Sequence, residues 1–177
     1  VLLAAKELNY RPSKAALGVR LGRYNTIGLV VPDLHNPFYP VLADCLDQAV
    51  AAHGYDLIRE HSRNDLAAEQ HCFESILDRQ VDGIIFAAMR AREVFVPDMP
   101  ITSPVVMLNG SSARFPISVV PDEFAGGQTV VRLLAQAGLS EGIALLGHNP
   151  DDERGLFRSE FISRRIAGIN HEMAAHG

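Results

Sequence analysis

The amino-acid sequence predicts an α/β fold, a doubly wound parallel sheet preceded by a short basic helical segment. Three observations lead there. Short, nearly continuous apolar runs alternate with stretches of helical apolar spacing, the order expected of strand–helix–strand units around a buried parallel sheet. The 177 residues are 47% hydrophobic with slightly positive mean hydropathy, enough to bury a sizeable core and exclude disordered and fibrous classes, in a length typical of one globular unit. Charge is unevenly spread: residues 1–23 carry +4 and the rest −9, for −5 overall. An acidic body with a basic terminal segment is the asymmetry of a tethered nucleic-acid-binding element, although an ordinary solvated basic helix has the same charge pattern.

The elements follow in order. Val1 to Leu8 has helical spacing and stops at Asn9, before Tyr10-Arg11-Pro12, as the tail of a helix would. Ser13 can cap a second short helix through Lys14-Ala15-Ala16-Leu17, ending near Gly22. Gly18 costs that helix about 1 kcal/mol relative to alanine, so it is expected to be marginal by itself. Ile27-Gly28-Leu29-Val30-Val31 reads as a buried strand and Asp33 to Pro37 as a loop. Phe38 to Ala52 reads as an amphipathic helix with Val41, Leu42, Cys45, Leu46 and Ala49 on one face and Gly54 as its stop. Tyr55 to Ile58 is strand-like, Asp65 to Arg79 a helix with an aspartate at its start, and Gly83 to Ala87 a strand. Val105 to Leu108 and Ile117 to Val120 supply two more strands, Phe124 to Ala137 a helix, Ile143 to Leu146 a strand, and Phe161 to Ala175 a last helix.

Catalytic chemistry is poorly represented. The loop after the first strand lacks the glycines of a phosphate cradle, and no Gly-x-Ser-x-Gly elbow occurs. The seven histidines form no ligand pair with zinc spacing; His53, His61 and His71 read as surface residues and His35 as a loop residue at a strand end. Asp151-Asp152-Glu153 reads as a solvated charge cluster, because a metal needs convergent rather than adjacent ligands. Cys45 and Cys72 both sit in helical spacing and read as small core residues in a reducing compartment. No apolar run reaches the roughly 18 residues of a membrane span, and the first residues are not arranged as a signal peptide. The expectation is a cytoplasmic non-enzyme without cofactor or metal.

Ligands of a doubly wound sheet bind beyond the carboxyl ends of its strands. Those ends carry Asp33 to Tyr39, Ala88-Met89, Asn109-Gly110 and Asp122-Glu123. Rings, an amide and carboxylates around one crevice suit a small polar ligand. On the residues alone, Phe38 and Tyr39 read equally as the first core residues of their helix, and Arg164 and Arg165 as solvent-facing charges.

Several short motifs in order carry a more specific signal: Ala5-Lys6-Glu7-Leu8-Asn9-Tyr10-Arg11-Pro12-Ser13, Leu21-Gly22-Arg23, Thr26 to Asp33, and Asn36-Pro37-Phe38-Tyr39. Together they resemble the headpiece end, hinge and first strand of LacI/GalR transcription regulators. The resemblance continues through Val81-Asp82-Gly83-Ile84-Ile85, Asp122 with Gly126-Gly127, and Arg165-Ile166-Ala167-Gly168, covering essentially the whole chain. It implies a periplasmic-binding-protein-like, two-subdomain sensor behind a helical hinge: residues 1–25 as headpiece end and hinge, 26–138 as the N-terminal subdomain, and 139–177 as an incomplete start of the C-terminal one.

The implied function is an effector-responsive regulator, most often a repressor, that binds operator DNA as a homodimer and senses a sugar or related metabolite. By matching position, Ser13, Ala16 and Val19 are the hinge residues that face DNA; valine stands where the family usually has a leucine wedge. The implied effector residues are Phe38 and Tyr39 for stacking, Asp122 as a carboxylate acceptor and Arg165 from the second subdomain, with Asp33, Met89 and Asn109 beside them. Glu123 departs from the family's usual asparagine, and Gly138 to Gly142 is longer and less basic than the usual turn. The base-reading helix is expected upstream of Val1 and most of the second subdomain beyond Gly177. A periplasmic-type sugar-binding protein shares the architecture, but the basic segment Asn9 to Arg23 favours the regulator.

Overall fold

In the computed structural model, residue 7 and residues 14–87, 101–110, 112, 114–139, 142–145 and 160–176 are described. The elements are α1 (Lys14–Leu21), β1 (Thr26–Val31), α2 (Phe38–Ala51), β2 (Asp56–His61), α3 (Leu66–Asp78), β3 (Gly83–Ala87), β4 (Val105–Leu108), β5 (Ile117–Val119), α4 (Glu123–Gln136) and α5 (Glu160–His176). The strands form one five-stranded sheet in the order β2-β1-β3-β4-β5. β1 runs parallel to β2 and β3, and β4 parallel to β5. The α/β class and parallel sheet expected from the sequence are therefore the observed fold. The chain divides into two compact units, Val1–Phe86 with Phe95–Val105, and Ala87–Val94 with Val106–Gly177.

The first unit is built around β1. Its apolar run pairs on both edges, so Leu29, Val30 and Val31 are shut off from water. Gly28 is buried because the Ile76 side chain of α3 lies against it, where any Cβ would collide. The next residue, Leu29, lines a cavity with Pro40 and Ala43 of α2. Neighbouring residues of a strand face opposite ways, so α2 and α3 cover opposite faces of the sheet. Phe73 and Phe86 meet as a tilted ring pair, centroids 5.1 Å apart, and with Ile76 are fully buried, each such side chain contributing about 1.5–3 kcal/mol. Asp65 caps α3, its carboxylate accepting the Ala68 N–H at 2.7 Å, and Gly54 follows α2 at φ +78°, where a side chain would be strained.

Three sequence expectations are corrected. The face of α2 turned to the sheet buries Ala43 and half-buries Leu42, Leu46, Asp47 and Val50, while Val41, Cys45 and Ala49 point to solvent. The helix carries apolar residues on two adjoining stripes, so periodicity does not select one; packing on β1 and β2 does. Cys45 is accordingly exposed, and only Cys72 is a core residue, its thiol pKa raised first by burial and then by the charges of Glu60 and Glu69. Ile143 to Leu145, expected in a strand, are irregular, with Ala144 and Leu145 exposed; no described strand pairs with them, and a lone strand leaves its backbone unsatisfied. Of the predicted helix Val1 to Leu8, Glu7 is helical and the rest lies outside the described residues.

In the second unit β4 and β5 pair in the register Val106 to Ile117 through Leu108 to Val119. α4 and α5 cross closely. A Cβ on Gly127 would run into the Arg165 backbone carbonyl, and one on Gly168 into that of Phe124, so the two glycines let the backbones touch. Ion pairs close both sides of the crossing. Arg165 binds Glu123 at 2.5 and 2.8 Å. Arg132 reaches the buried Glu172 at 2.8 and 2.9 Å, where Gln128 adds a bond at 3.0 Å.

Candidate functional site

Beyond the carboxyl end of β1, the loop residues 32–37 fold on their own side chains. The Asp33 carboxylate accepts the His35 N–H at 2.8 Å and lies 3.0 Å from His35 Nδ1. The His35 backbone bond, with weaker help from the His35 and Asn64 side chains against some desolvation, holds the Asp33 carboxyl below its ordinary value of 3.8. Asn36 accepts the Phe38 N–H on its side chain at 3.1 Å and the Tyr39 N–H on its backbone carbonyl at 3.2 Å, which starts α2. The α2 start presents two rings in an edge-to-face pair, centroids 5.1 Å apart and planes at 78°. Phe38 is 50% exposed. This ring is not core: it is an apolar plane offered to solvent at a strand end, the surface a sugar can stack on.

In the second unit, Asn109 ends β4 at φ +55° and donates its backbone N–H to Val119 at 3.1 Å. Asp122 is exposed at the start of α4, where its carboxylate accepts the Ala125 N–H at 3.1 Å. A carboxylate with one oxygen committed to a helix start still has acceptor capacity for ligand hydroxyls. Arg165 lies on α5 with its guanidinium engaged by Glu123, and this hydrogen bond raises its pKa against a smaller desolvation effect.

Asp33, Phe38 and Tyr39 thus belong to the first unit, and Asn109, Asp122 and Arg165 to the second; Met89 lies outside the described residues. Of the hinge set, Ser13 is outside them, Ala16 is exposed, and Val19 is 71% exposed on α1. From the sequence Glu123 stood out only as a strand-end carboxylate and a departure from the resemblance; its partner lies 42 residues away, and no local spacing announces the pair. A cavity of about 350 Å³ between α2 and the β1–β2 edge, with Leu29, Val31 and Ala43 inside and Arg59 and His61 lining it, also had no sequence signal. Among the described residues no group of three or more His, Cys, Asp or Glu could hold a metal ion. No described helix is long and apolar enough to cross a membrane.

A five-stranded parallel sheet of this order with flanking helices defines a periplasmic-binding-protein-like fold. Residues 24–155 match the family described as periplasmic binding proteins and sugar binding domain of LacI family, and the chain belongs to that family. It is 34% identical over 109 residues to catabolite control protein A of Staphylococcus xylosus, covering 62% of this chain and 33% of that protein. It is 41% identical over 85 residues to the catabolite repressor/activator of Escherichia coli, covering 48% of this chain and 25% of that one. Among solved structures, a periplasmic binding protein/LacI transcriptional regulator from Alkaliphilus metalliredigens complexed with D-xylulofuranose superposes with a TM-score of 0.68 at 24% identity, over 85% of this chain and 53% of that one. The Cra transcriptional dual regulator of Pseudomonas putida, in complex with fructose 1-phosphate, gives 0.68 at 21%, over 86% and 55%. These two likenesses are of fold. The chain spans a quarter to a third of these two curated relatives and about half of these two structures.

Proposed function

We propose that this chain is the hinge and sensing part of an effector-responsive, DNA-binding transcription regulator, a repressor whose ligand is a sugar or sugar derivative. The observation that carries the reading is α1: a short helix with a basic last turn, placed directly ahead of the sensor sheet, that holds Val19 out in solvent. An exposed apolar side chain on a basic helix suits insertion into a minor groove, where unstacking is offset by added contacts. Ser13, Ala16 and Val19 form the DNA face of this hinge. Phe38 and Tyr39 stack on the effector and Asp122 and Arg165 hold its polar groups, with Asp33, Met89 and Asn109 beside them. Residues 1–25 act as headpiece end and hinge, 26–138 as the N-terminal subdomain, and 139–177 as the start of the C-terminal one. The regulator works in the cytoplasm, as a homodimer and without catalysis. Exposed Val41 on α2 and Leu34 in the loop before it support self-association.

The family description includes periplasmic binding proteins as well, and the basic segment with its exposed Val19 favours the regulator over that alternative. The full-length protein should bind its operator and release or tighten on it when one member of a sugar and nucleoside panel is added, as followed by calorimetric titration and DNA mobility shift. If no panel member bound, or if binding left DNA affinity unchanged, the effector-sensor reading would fail.

A further inference from the structure

We propose that Tyr24 and Asp82 form a latch that seats α1 on the amino ends of the neighbouring strands, with Gly18 as the slot that admits the Tyr24 ring. The latch itself is argued from contacts within the first unit; its use in positioning a DNA-contacting helix rests on the function proposed above.

Contacts on both sides of the turn between α1 and β1 define it. The Asp82 carboxylate, just before β3, accepts the Tyr24 N–H at 2.8 Å, while the Asp82 N–H binds the Thr26 carbonyl at 2.8 Å. One residue thereby grips both the start of β1 and the residue before the turn into it. The Tyr24 ring folds back over α1 and occupies the space above Gly18, so closely that a Cβ there would run into the ring. The Arg23 N–H closes the end of α1 on the Gly18 carbonyl at 3.2 Å, and its guanidinium reaches the Tyr55 hydroxyl at 2.8 Å and stands 4.9 Å from that ring's centre. Asn25, at φ +51°, turns the chain so that its carbonyl accepts the Asp56 N–H at 2.9 Å. The link from helix to sheet is thus pinned at β1, β2 and β3.

This gives Gly18 a role opposite to the one its helix propensity suggests. In a free helix glycine is a defect; here it is the only residue that leaves room for Tyr24. Tyr24 is a positioning residue: packed on Gly18, it sets how α1 presents Ala16 and Val19. An eight-residue helix is too short to hold its shape in water unaided, so docking must supply the order.

Amide hydrogen exchange over residues 14–25 tests the latch. If α1 were free, Gly18→Ala would raise its protection about fivefold, because alanine is the better helix former. The latch requires the opposite sign, a loss of tenfold or more, since the new methyl displaces Tyr24. Asp82→Ala and Tyr24→Ala should lower protection alike, and Asp82→Asn, which keeps an acceptor oxygen, should restore most of it, with β1 amides unchanged throughout. A gain in Gly18→Ala, or protection indifferent to Asp82→Ala and Tyr24→Ala, overturns the proposal. DNA affinity of the full-length protein separates the two layers. A wild-type protein that binds no DNA removes the hinge function and leaves the latch standing. Wild-type DNA affinity in variants with lost α1 protection removes the positioning role.

Discussion

The Arg165 guanidinium holds both carboxylate oxygens of Glu123, at 2.5 and 2.8 Å, across the crossing of α4 and α5. Glu123 is nearly buried and Arg165 half-exposed, so the pair is neither a loose surface contact nor a sealed one. A bidentate geometry with one shielded partner is the case in which an ion pair contributes measurably. Glu123→Ala and Arg165→Ala should each destabilise by about 1 kcal/mol, and the double variant by clearly less than their sum, read from urea unfolding as a coupling energy. If Arg165 also serves the effector as proposed, Arg165→Ala in the full-length protein abolishes the effector response while unliganded DNA affinity stays intact.

The glycine crossing beside that pair makes a prediction of sign. Gly127→Ala and Gly168→Ala each force a methyl against backbone carbonyls that cannot swing aside, and should destabilise by about 1–3 kcal/mol. Gly126→Ala, one residue away on an open side of α4, meets nothing and should stabilise by up to about 1 kcal/mol. Three melting curves decide it.

Asp122 combines a cap with a proposed ligand contact, and the two separate by substitution. Asp122→Asn keeps an oxygen for the Ala125 N–H and should leave stability nearly unchanged, whereas Asp122→Ala loses the cap at a cost of about 1 kcal/mol. If the carboxylate accepts effector hydroxyls, both substitutions weaken effector binding. Calorimetry of the two variants beside their unfolding curves distinguishes cap from ligand.

The β1 loop should respond to acid. The Asp33 carboxyl is held below its ordinary value chiefly by the His35 backbone N–H. A depressed folded-state value means that the ionised form is favoured in the folded loop, so the loop's contribution is present above the ordinary value of 3.8 and is lost as pH falls through the lower folded value. The His35 amide resonance should therefore shift with a midpoint under 3.8, and the shift should vanish in Asp33→Asn. A midpoint at or above that value would show that the bond does not hold in solution.

The buried strands β1, β3 and β4 were legible because a parallel strand covered on both faces must be apolar at nearly every position, a pattern few other elements share. The helix start at Asp65 was legible for a similarly local reason, since a side chain meets a backbone N–H three residues on, whereas Asp122 read only as a strand-end carboxylate and its cap on α4 emerged with the fold. The α2 face was misread because Val41 and Cys45 continue an apolar stripe that the sheet does not use. Residues 143–145 were misread because an apolar run is necessary for a strand but does not supply its partner.

By itself, then, the sequence determined the α/β class, the strand-end loops that carry Asp33, Phe38, Asn109 and Asp122, and the basic segment ahead of the body. Tertiary structure alone decided that Arg165 meets Glu123, that Gly18 receives Tyr24 and that Asp82 ties α1 to the sheet. Apolar periodicity and caps are properties of a few consecutive residues, so they can be read from the chain. A pairing such as Tyr24 with Asp82, 58 residues apart, exists only once the sheet has brought the two together.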